Sequence, residues 1–283
     1  MRCDSHIHIV GPLDRFAQVA NRTYTAGIAA LDRIEHLGAG HGIGRFVIVQ
    51  PSFYGTDNAA LLDGLDRLGP RGRGVAVIDP AATSAAMLGE FHARGVRGLR
   101  INLYSPMQAS RVHTMAEAFA AQAAVAATIG WHVEVIAPIE GLIAAADTLA
   151  RSSVPVVIDH YGLYGGHDPA SETGRRLLDL VRLPHVWIKL SAPYRVSDDP
   201  LNSCPDRRWL AALIDAAPGR CVWGSDWPHT PAHDAHGPTP QPLSYRPISY
   251  AALITDFTAA LPAPDLAGPI LTTNPARLYG FQD

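Results

Sequence analysis

Two histidines one residue apart, His6 and His8, lie close to the amino terminus of the chain. Side chains alternate across a β-strand, so the two imidazoles point to the same side. Two converging imidazoles at the end of a strand can hold a metal ion or polarise a carbonyl oxygen. Two structural histidines are the alternative, and the pair alone does not decide between these interpretations. His160 and Asp226 favour chemistry, because each also ends a largely apolar run.

Strand-like and helix-like segments alternate along the whole chain and must position these residues. Several of the strands are almost wholly apolar, as parallel strands covered on both faces are. Short connections and right-handed crossovers favour an α/β fold in which eight strands close into a (β/α)8 TIM barrel, with residues 1–283 as a single domain. The predicted strands are 3–10, 45–50, 74–78, 96–103, 131–136, 154–160, 185–191 and 221–226. The predicted helices are 26–38, 57–68, 83–94, 114–129, 139–150, 170–182, 206–217, 248–260 and 264–279.

Polar residues gather where these strands end, which is the face on which barrels of this kind carry reactive groups. Burying so many polar groups is costly unless they serve a site. Alternation with His160 predicts that Asp159 points to the outer face, whereas the sequence leaves Lys189 undecided. The polar residues at these strand ends are Gln50, Arg100, Asn102, Asp159, His160, Lys189, Ser191, Ser225 and Asp226, with Tyr194 and Arg195 just beyond the seventh strand.

Composition excludes several classes of function. The formal net charge is −3, and no basic run or basic stripe predicts binding to nucleic acid or to an anionic membrane. The three cysteines lack metal-type spacing and indicate a reducing, cytoplasmic compartment. The first strand leaves no room for a signal peptide, and no apolar run is long enough to span a bilayer. We expect a cytoplasmic protein with a small-molecule substrate, as a monomer or small homo-oligomer.

Several motifs together resemble the amidohydrolase superfamily. Within it they are similar to the branch of 2-pyrone-4,6-dicarboxylate lactonases, which also holds sugar-acid lactonases and muconolactone hydrolases. The likeness extends to the closing segment 274–280. The motifs are Asp4-Ser-His-Ile-His8, Gln50-Pro-Ser-Phe-Tyr-Gly-Thr-Asp57, Gly95-Val-Arg-Gly-Leu-Arg-Ile-Asn102, Ile158-Asp-His160 and Trp223-Gly-Ser-Asp-Trp-Pro-His229.

The resemblance implies a role for each site residue. Asp226 would be the general base that takes a proton from water. The imidazoles of His6, His8 and His160 would surround the lactone carbonyl and stabilise the oxyanion. Guanidinium groups at Arg100 and Arg195 would bind substrate carboxylates. The remaining substrate-binding residues would be Tyr24, Gln50 and His229.

Many relatives hold zinc or manganese between the paired histidines, a histidine on strand five and the aspartate on strand eight. Here His132 lies at the beginning of strand five and Ile136 at its catalytic end, so His132 is predicted to be structural. We therefore expect no required cofactor. The alternative is one divalent ion, such as zinc, on His6, His8 and Asp226, since three ligands and a water suffice for a catalytic zinc.

Two departures from the dicarboxylate lactonases bear on the substrate. Their further arginine after strand four corresponds only to the displaced Arg111, and Ile136 stands where they place a tyrosine. A substrate with one carboxylate, or a neutral sugar lactone, therefore fits at least as well. His233 and His236 are predicted to be solvated loop residues.

The predicted function is hydrolysis of a small carboxylated lactone. Three alternatives stay open: hydrolysis of a sugar-acid lactone or isomerisation of a lactone, metal-dependent decarboxylation of an aromatic acid, and a barrel that binds without catalysis. The isoleucine at position 136 argues against the decarboxylase, which needs a firmly held metal.

Overall fold

Eight parallel strands form one sheet in the computed structural model, which describes residues 1–104, 115–231, 239 and 241–282. Strands adjacent in sequence are adjacent in the sheet, from the first to the eighth. The predicted eight strands and their order are confirmed. The strands are β1 (Arg2–Ile7), β2 (Ile43–Val49), β3 (Gly72–Ala76), β4 (Val96–Asn102), β5 (His132–Ile136), β6 (Val156–Ile158), β7 (Val186–Ser191) and β8 (Cys221–Gly224).

Helices follow the strands and pack against the outside of the sheet. Within the described ranges, no helix has the length and apolar character needed to cross a membrane. Side-chain oxygens of Ser84, Ser171, Asp206 and Ser249 accept hydrogen bonds from first-turn N–H groups and fix where four helices begin. The helices are α1 (Leu31–Ala39), α2 (Ala59–Leu68), α3 (Ala85–Ala93), α4 (Met115–Ile129), α5 (Ile139–Ala144), α6 (Ala146–Ala150), α7 (Glu172–Arg182), α8 (Arg207–Ala216), α9 (Tyr250–Ala260), α10 (Ala267–Leu271) and α11 (Thr273–Tyr279).

The beginning of the first predicted helix was wrong. Residues 26–30 are extended, because Ala29 exchanges two backbone hydrogen bonds with Val10, and α1 starts only at Leu31. Ala26 and Ala29 are buried although they lie outside the helix, so the spacing of apolar residues does not by itself mark where α1 begins.

The barrel closes where β8 meets β1. The backbone N–H of Asp226 donates to the carbonyl oxygen of His6 at 2.9 Å, and the N–H of His8 donates to that of Trp227 at 2.7 Å. The two strands approach closely because position 224 is glycine: an added Cβ would lie 2.6 Å from the Cβ of His6. The predicted (β/α)8 barrel is thereby confirmed.

The barrel interior is divided along its axis. At the amino ends of the strands it is filled with packed apolar side chains, among them Val157, Trp187 and Val222. A second apolar group, Cys3, Val47, Val49 and Val75, packs on Tyr279 and Phe281 of the carboxyl-terminal segment. Toward the carboxyl ends of the strands, the buried side chains include histidines, carboxylates and cations. The apolar layer supplies the rigid floor on which the polar layer stands.

Replacing Gly224 by alanine tests the closing contact. The new Cβ would lie within 3 Å of both Cβ and N of His6. We expect the variant to lose about 1–3 kcal/mol of unfolding free energy through overpacking. Urea unfolding measures the loss. Gly89→Ala is the control, because nothing lies within 4 Å of a Cβ at position 89; equal stability of the two variants would contradict the close approach.

Candidate active site

The carboxylate of Asp226 lies at the centre of the polar layer. Its Oδ1 atom is 3.4 Å from Nε2 of His6, 3.3 Å from Nε2 of His8 and 4.0 Å from Nε2 of His160. These four side chains are almost completely buried. The structure therefore brings together, at one point, the acid and the three imidazoles that were selected from distant parts of the sequence.

The second oxygen of this carboxylate is held by two donors. The hydroxyl of Tyr194 donates to Oδ2 at 2.6 Å, and Nε and Nη2 of Arg195 lie 2.8 and 2.7 Å from it. Burial alone would raise the pKa of Asp226, but Arg195 and His160 outweigh it and hold that pKa well below its usual range. The carboxylate is thus ionised, with Oδ2 occupied and Oδ1 facing the imidazoles. Residue types alone did not reveal that Tyr194 holds this carboxylate.

Backbone conformation aims two of the four side chains. His160 and Asp226 have φ angles of 49° and 58°, in the left-handed region that residues other than glycine seldom occupy. Each lies two residues beyond the end of its strand, so the turn redirects the side chain over the barrel end. Such conformations cost about 1–3 kcal/mol and persist where the surrounding structure imposes them.

The prediction that Asp159 faces outward was wrong. Val157 packs inside the barrel, so alternation along β6 places Asp159 inside as well, 3.5 Å from Nδ1 of His6. His160 reaches the same site only because its positive φ breaks the alternation. A sequence pattern that assumes extended backbone cannot anticipate this turn.

A second layer of charge lies directly beneath the imidazoles. The ammonium of Lys189 is fully buried, 2.5 Å from Oε2 of Glu134, 3.2 Å from Oδ1 of Asp159 and 3.2 Å from Nδ1 of His6. Burial and the neighbouring Asp159 raise the pKa of Glu134, while Lys189 and His6 overcome burial and keep the pKa of Asp159 well below its usual range. The sequence signal for this layer is a lysine within the otherwise apolar segment of β7.

Two predicted substrate-binding residues are engaged with the protein itself. Nη1 of Arg100 donates to the carbonyl oxygen of Gln50 at 2.9 Å, and Nη2 lies 3.6 Å from Oδ2 of Asp159. The amide of Gln50 donates to the carbonyl oxygen of Asp57 at 2.6 Å and so holds the loop after β2. Arg100 still lines the pocket, whereas the side chain of Gln50 does not line it and supports the loop after β2.

The pocket above the imidazoles is small, with a volume of about 10 Å³. That is roughly the space of one water molecule. Arg195 also borders adjoining cavities of about 590 and 300 Å³, so its guanidinium separates the site from larger spaces. The pocket is lined by His8, Tyr24, Pro51, Ser52, Arg100, Asn102, Ile136, His160, Arg195 and Thr230.

His229 and His132 lie apart from this pocket. His229 is buried and borders a different cavity, beside Trp227 and Arg246. His132 is buried at the opposite end of β5, against Tyr279, which confirms its structural interpretation. Ile136 takes the catalytic end of that strand. The predictions for Arg111, His233 and His236 concern residues outside the described part of the chain.

The three side chains proposed to bind a metal ion are close enough together to do so, but their surroundings do not all suit a metal. One ligand atom each from His6, His8 and Asp226 lies within 4.8 Å of the others, and a second such group is His6, Asp159 and His160. The surroundings of His8 suit a metal, because its Nδ1 donates to the carbonyl oxygen of Val49 at 2.7 Å and leaves Nε2 available. The surroundings of His6 do not suit a metal, because the ammonium of Lys189 lies 3.2 Å from its Nδ1. The donor set therefore does not fit a three-ligand zinc ion.

Comparison with known proteins identifies the class. The model of the amidohydrolase family matches residues 3–281, so the chain belongs to the amidohydrolase family, as its motifs predicted. Relatives of the predicted branch follow. The chain is 31% identical over 281 residues to the 4-sulfomuconolactone hydrolase of Rhizobium radiobacter, covering 98% of this chain and 89% of the relative. It is 30% identical over 289 residues to the 2-pyrone-4,6-dicarboxylate hydrolase of Comamonas testosteroni, covering 98% and 89%.

A solved structure is similar over the same extent. It is a probable 2-pyrone-4,6-dicarboxylic acid hydrolase of Acinetobacter baumannii with citric acid bound, 26% identical, with a TM-score of 0.77 and 99% of each chain covered. The relatives are thus hydrolases of lactone rings that carry acidic groups.

Burial of His160 predicts a dependence of stability on pH. Burial lowers the pKa of His160 from 6.5 to about 4. At pH values between these two pKa values, His160 binds a proton in the unfolded chain but not in the folded protein. Its contribution to the free energy of unfolding is therefore fully present above pH 6.5 and falls as the pH drops. Relative to His160→Gln, the native protein should lose up to roughly 2 kcal/mol between about pH 7.5 and pH 5.

Urea unfolding of both proteins at the two pH values measures this difference. His36→Gln is the matched control, because His36 is exposed on α1. A parallel pH dependence in the native protein and in His160→Gln would contradict a neutral, buried His160.

Proposed function

We propose that this protein hydrolyses the ring ester of a small lactone that carries at least one carboxylate. One observation carries the proposal: a buried carboxylate, Asp226, has one oxygen held by Tyr194 and Arg195 and the other turned toward three imidazoles. A base beside several polarising groups suits attack of water on a carbonyl. The relatives named for a sulfonated lactone and for a pyrone dicarboxylate support this class of substrate.

The reaction follows from these positions. Oδ1 of Asp226 takes a proton from water as the water oxygen bonds to the lactone carbonyl carbon. The carbonyl oxygen becomes an oxyanion, and N–H groups of His6 and His160 donate to it. His8 stands beside the base, with its Nδ1 proton donated to the carbonyl oxygen of Val49 and its Nε2 atom 3.3 Å from Oδ1 of Asp226. Collapse breaks the ring C–O bond, and the leaving oxygen takes the proton back from Asp226, which yields a hydroxyl group and a carboxylic acid. The acid then releases its proton to water and becomes a carboxylate.

Arg195 links substrate binding to the base. Without substrate, its guanidinium neutralises Asp226 and holds the pKa of that carboxyl down. A substrate carboxylate competes for the same guanidinium, and a bidentate pair with it is a strong one. The exchange opens the small pocket toward the adjoining cavities that Arg195 borders and raises the basicity of Asp226 at the moment when water must be activated.

The remaining predicted residues serve binding. Arg100, with its guanidinium on the pocket wall, is the second candidate partner for an acidic group, and Tyr24 supplies a hydroxyl at the rim. We propose no metal requirement, since the donor set around His6 does not fit a zinc ion. His229 contacts substrate only if the ligand extends past Tyr194, whose ring centroid is 6.0 Å from that of His229.

Asp226→Asn tests the base. The amide keeps the shape of the side chain and removes its proton-accepting charge, so kcat for lactone opening should fall about 10²–10⁴-fold. Acid release followed with a pH indicator across a panel of lactones measures the rate. Asp147→Asn, on the exposed face of α6, should leave kcat unchanged. A variant at 226 that retained most of its kcat would refute the mechanism.

Arg195→Met separates the two roles of the guanidinium. Because its guanidinium holds down the pKa of Asp226, its removal should not lower kcat for neutral lactones. Loss of the charge-assisted bond should raise KM about ten- to a hundredfold, but only for carboxylated lactones. Steady-state kinetics on a matched carboxylated and neutral pair measures both effects, with the exposed Arg182→Met as control. Equal changes in KM for the two substrates would exclude a carboxylate contact.

A further inference from the structure

Two of the three imidazoles of the site, those of His8 and His6, differ in what their Nδ1 atoms contact. Nδ1 of His8 faces a carbonyl oxygen, that of Val49 at 2.7 Å, which can only accept a hydrogen bond. Nδ1 of His6 faces the ammonium of Lys189 at 3.2 Å, which can only donate. A neutral imidazole carries one N–H proton. The group that faces Nδ1 decides whether that proton lies on Nδ1 or on Nε2.

Each of the three protons of the Lys189 ammonium has an acceptor. An ammonium has three protons, and three acceptors lie around this one: Oε2 of Glu134, Oδ1 of Asp159 and Nδ1 of His6. If Nδ1 of His6 carried a proton instead, two N–H groups would face each other in a fully buried site. The third ammonium proton would then lose this acceptor, which is costly for a buried charge.

Asp159 is the competing partner for His6. Its Oδ1 lies 3.5 Å from Nδ1, farther than the ammonium, and it already faces Lys189 at 3.2 Å. The next carboxylate oxygen, Oε1 of Glu134, is 3.9 Å away. Burial and the nearby Lys189 keep the pKa of His6 well below its usual range, which is consistent with a single proton on the ring.

We infer that Lys189 is a positioning residue that holds His6 as the Nε2–H tautomer, so that His6 presents a hydrogen-bond donor to the site and no lone pair to a metal ion. The Nε2 atom lies 3.4 Å from Oδ1 of Asp226, on the side where the oxyanion of the proposed reaction forms. The catalytic value of the donor rests on the proposed lactone hydrolysis; the tautomer itself does not.

The native protein provides the first test. Uniformly ¹⁵N-histidine-labelled protein, dialysed against chelator, is examined at neutral pH by long-range ¹H–¹⁵N correlation, which identifies the protonated nitrogen of each ring. The signals of His6 are assigned by their loss in His6→Asn. We expect protonated Nε2 and bare Nδ1 for His6. The opposite pattern would make Asp159 the partner and overturn the inference, whether or not the protein opens lactones.

Substitution of the lysine provides the second test. In Lys189→Met, Nδ1 of His6 is free to donate to Asp159, and Nε2 gains a lone pair beside His8 and Asp226. We expect zinc affinity, measured by competition with a chromophoric chelator, to rise at least tenfold, about 1.4 kcal/mol. The His6 signals should change to the Nδ1–H pattern, and kcat should fall with little change in KM.

Matched variants separate this effect from loss of the buried ion pair. Glu134→Gln removes the same pair but keeps the ammonium against His6, so its tautomer and weak zinc binding should persist. Lys189→Arg keeps a donor there and should restore the native pattern. Because Lys189→Met leaves two carboxylates without their cation, Lys189→Met/Glu134→Gln provides a charge-balanced background. Equal zinc affinity in this double variant and in Glu134→Gln would overturn the role of Lys189.

Discussion

The active site depends on the seam where the last strand of the barrel closes against the first. The backbone N–H of Asp226 donates to His6, and that of His8 donates to Trp227, so the base and two imidazoles are held by the bonds that complete the fold. Gly224 permits the approach, because any larger residue would meet His6. The backbone positions that carry the carboxylate and these two imidazoles therefore cannot separate unless the barrel opens.

Closure also concentrates charge in a space without bulk water. The buried side chains of three cations, Arg100, Lys189 and Arg195, stand among three buried carboxylates, Glu134, Asp159 and Asp226. Buried charges persist only where they are paired and hydrogen-bonded, and each carboxylate here has a cationic neighbour within 4 Å. The pairing divides the polar layer into two levels. The upper pair is Arg195 with Asp226, and the lower group, beneath His6, is Lys189 with Glu134 and Asp159.

The two levels divide the work of the proposed reaction. Arg195 of the upper pair lines the pocket and can change partners when an acidic substrate enters, which ties recognition to the strength of the base. The lower group lies between the imidazoles and the apolar floor, and it reaches the pocket through His6 and through Arg100. A site built this way uses a buried ammonium to hold an N–H donor in place, where many members of the superfamily use a metal ion.

The order of apolar segments by itself determined the eight parallel strands, and the even spacing of His6 and His8 determined that both imidazoles enter one site. These features depend on the two-residue period of extended backbone, which is local. The inward turn of His160, the inward position of Asp159 and the pairings of Lys189 and Arg195 were decided only by the tertiary structure. They arise from a left-handed turn and from contacts between strands distant in the chain, and neither follows from a local period.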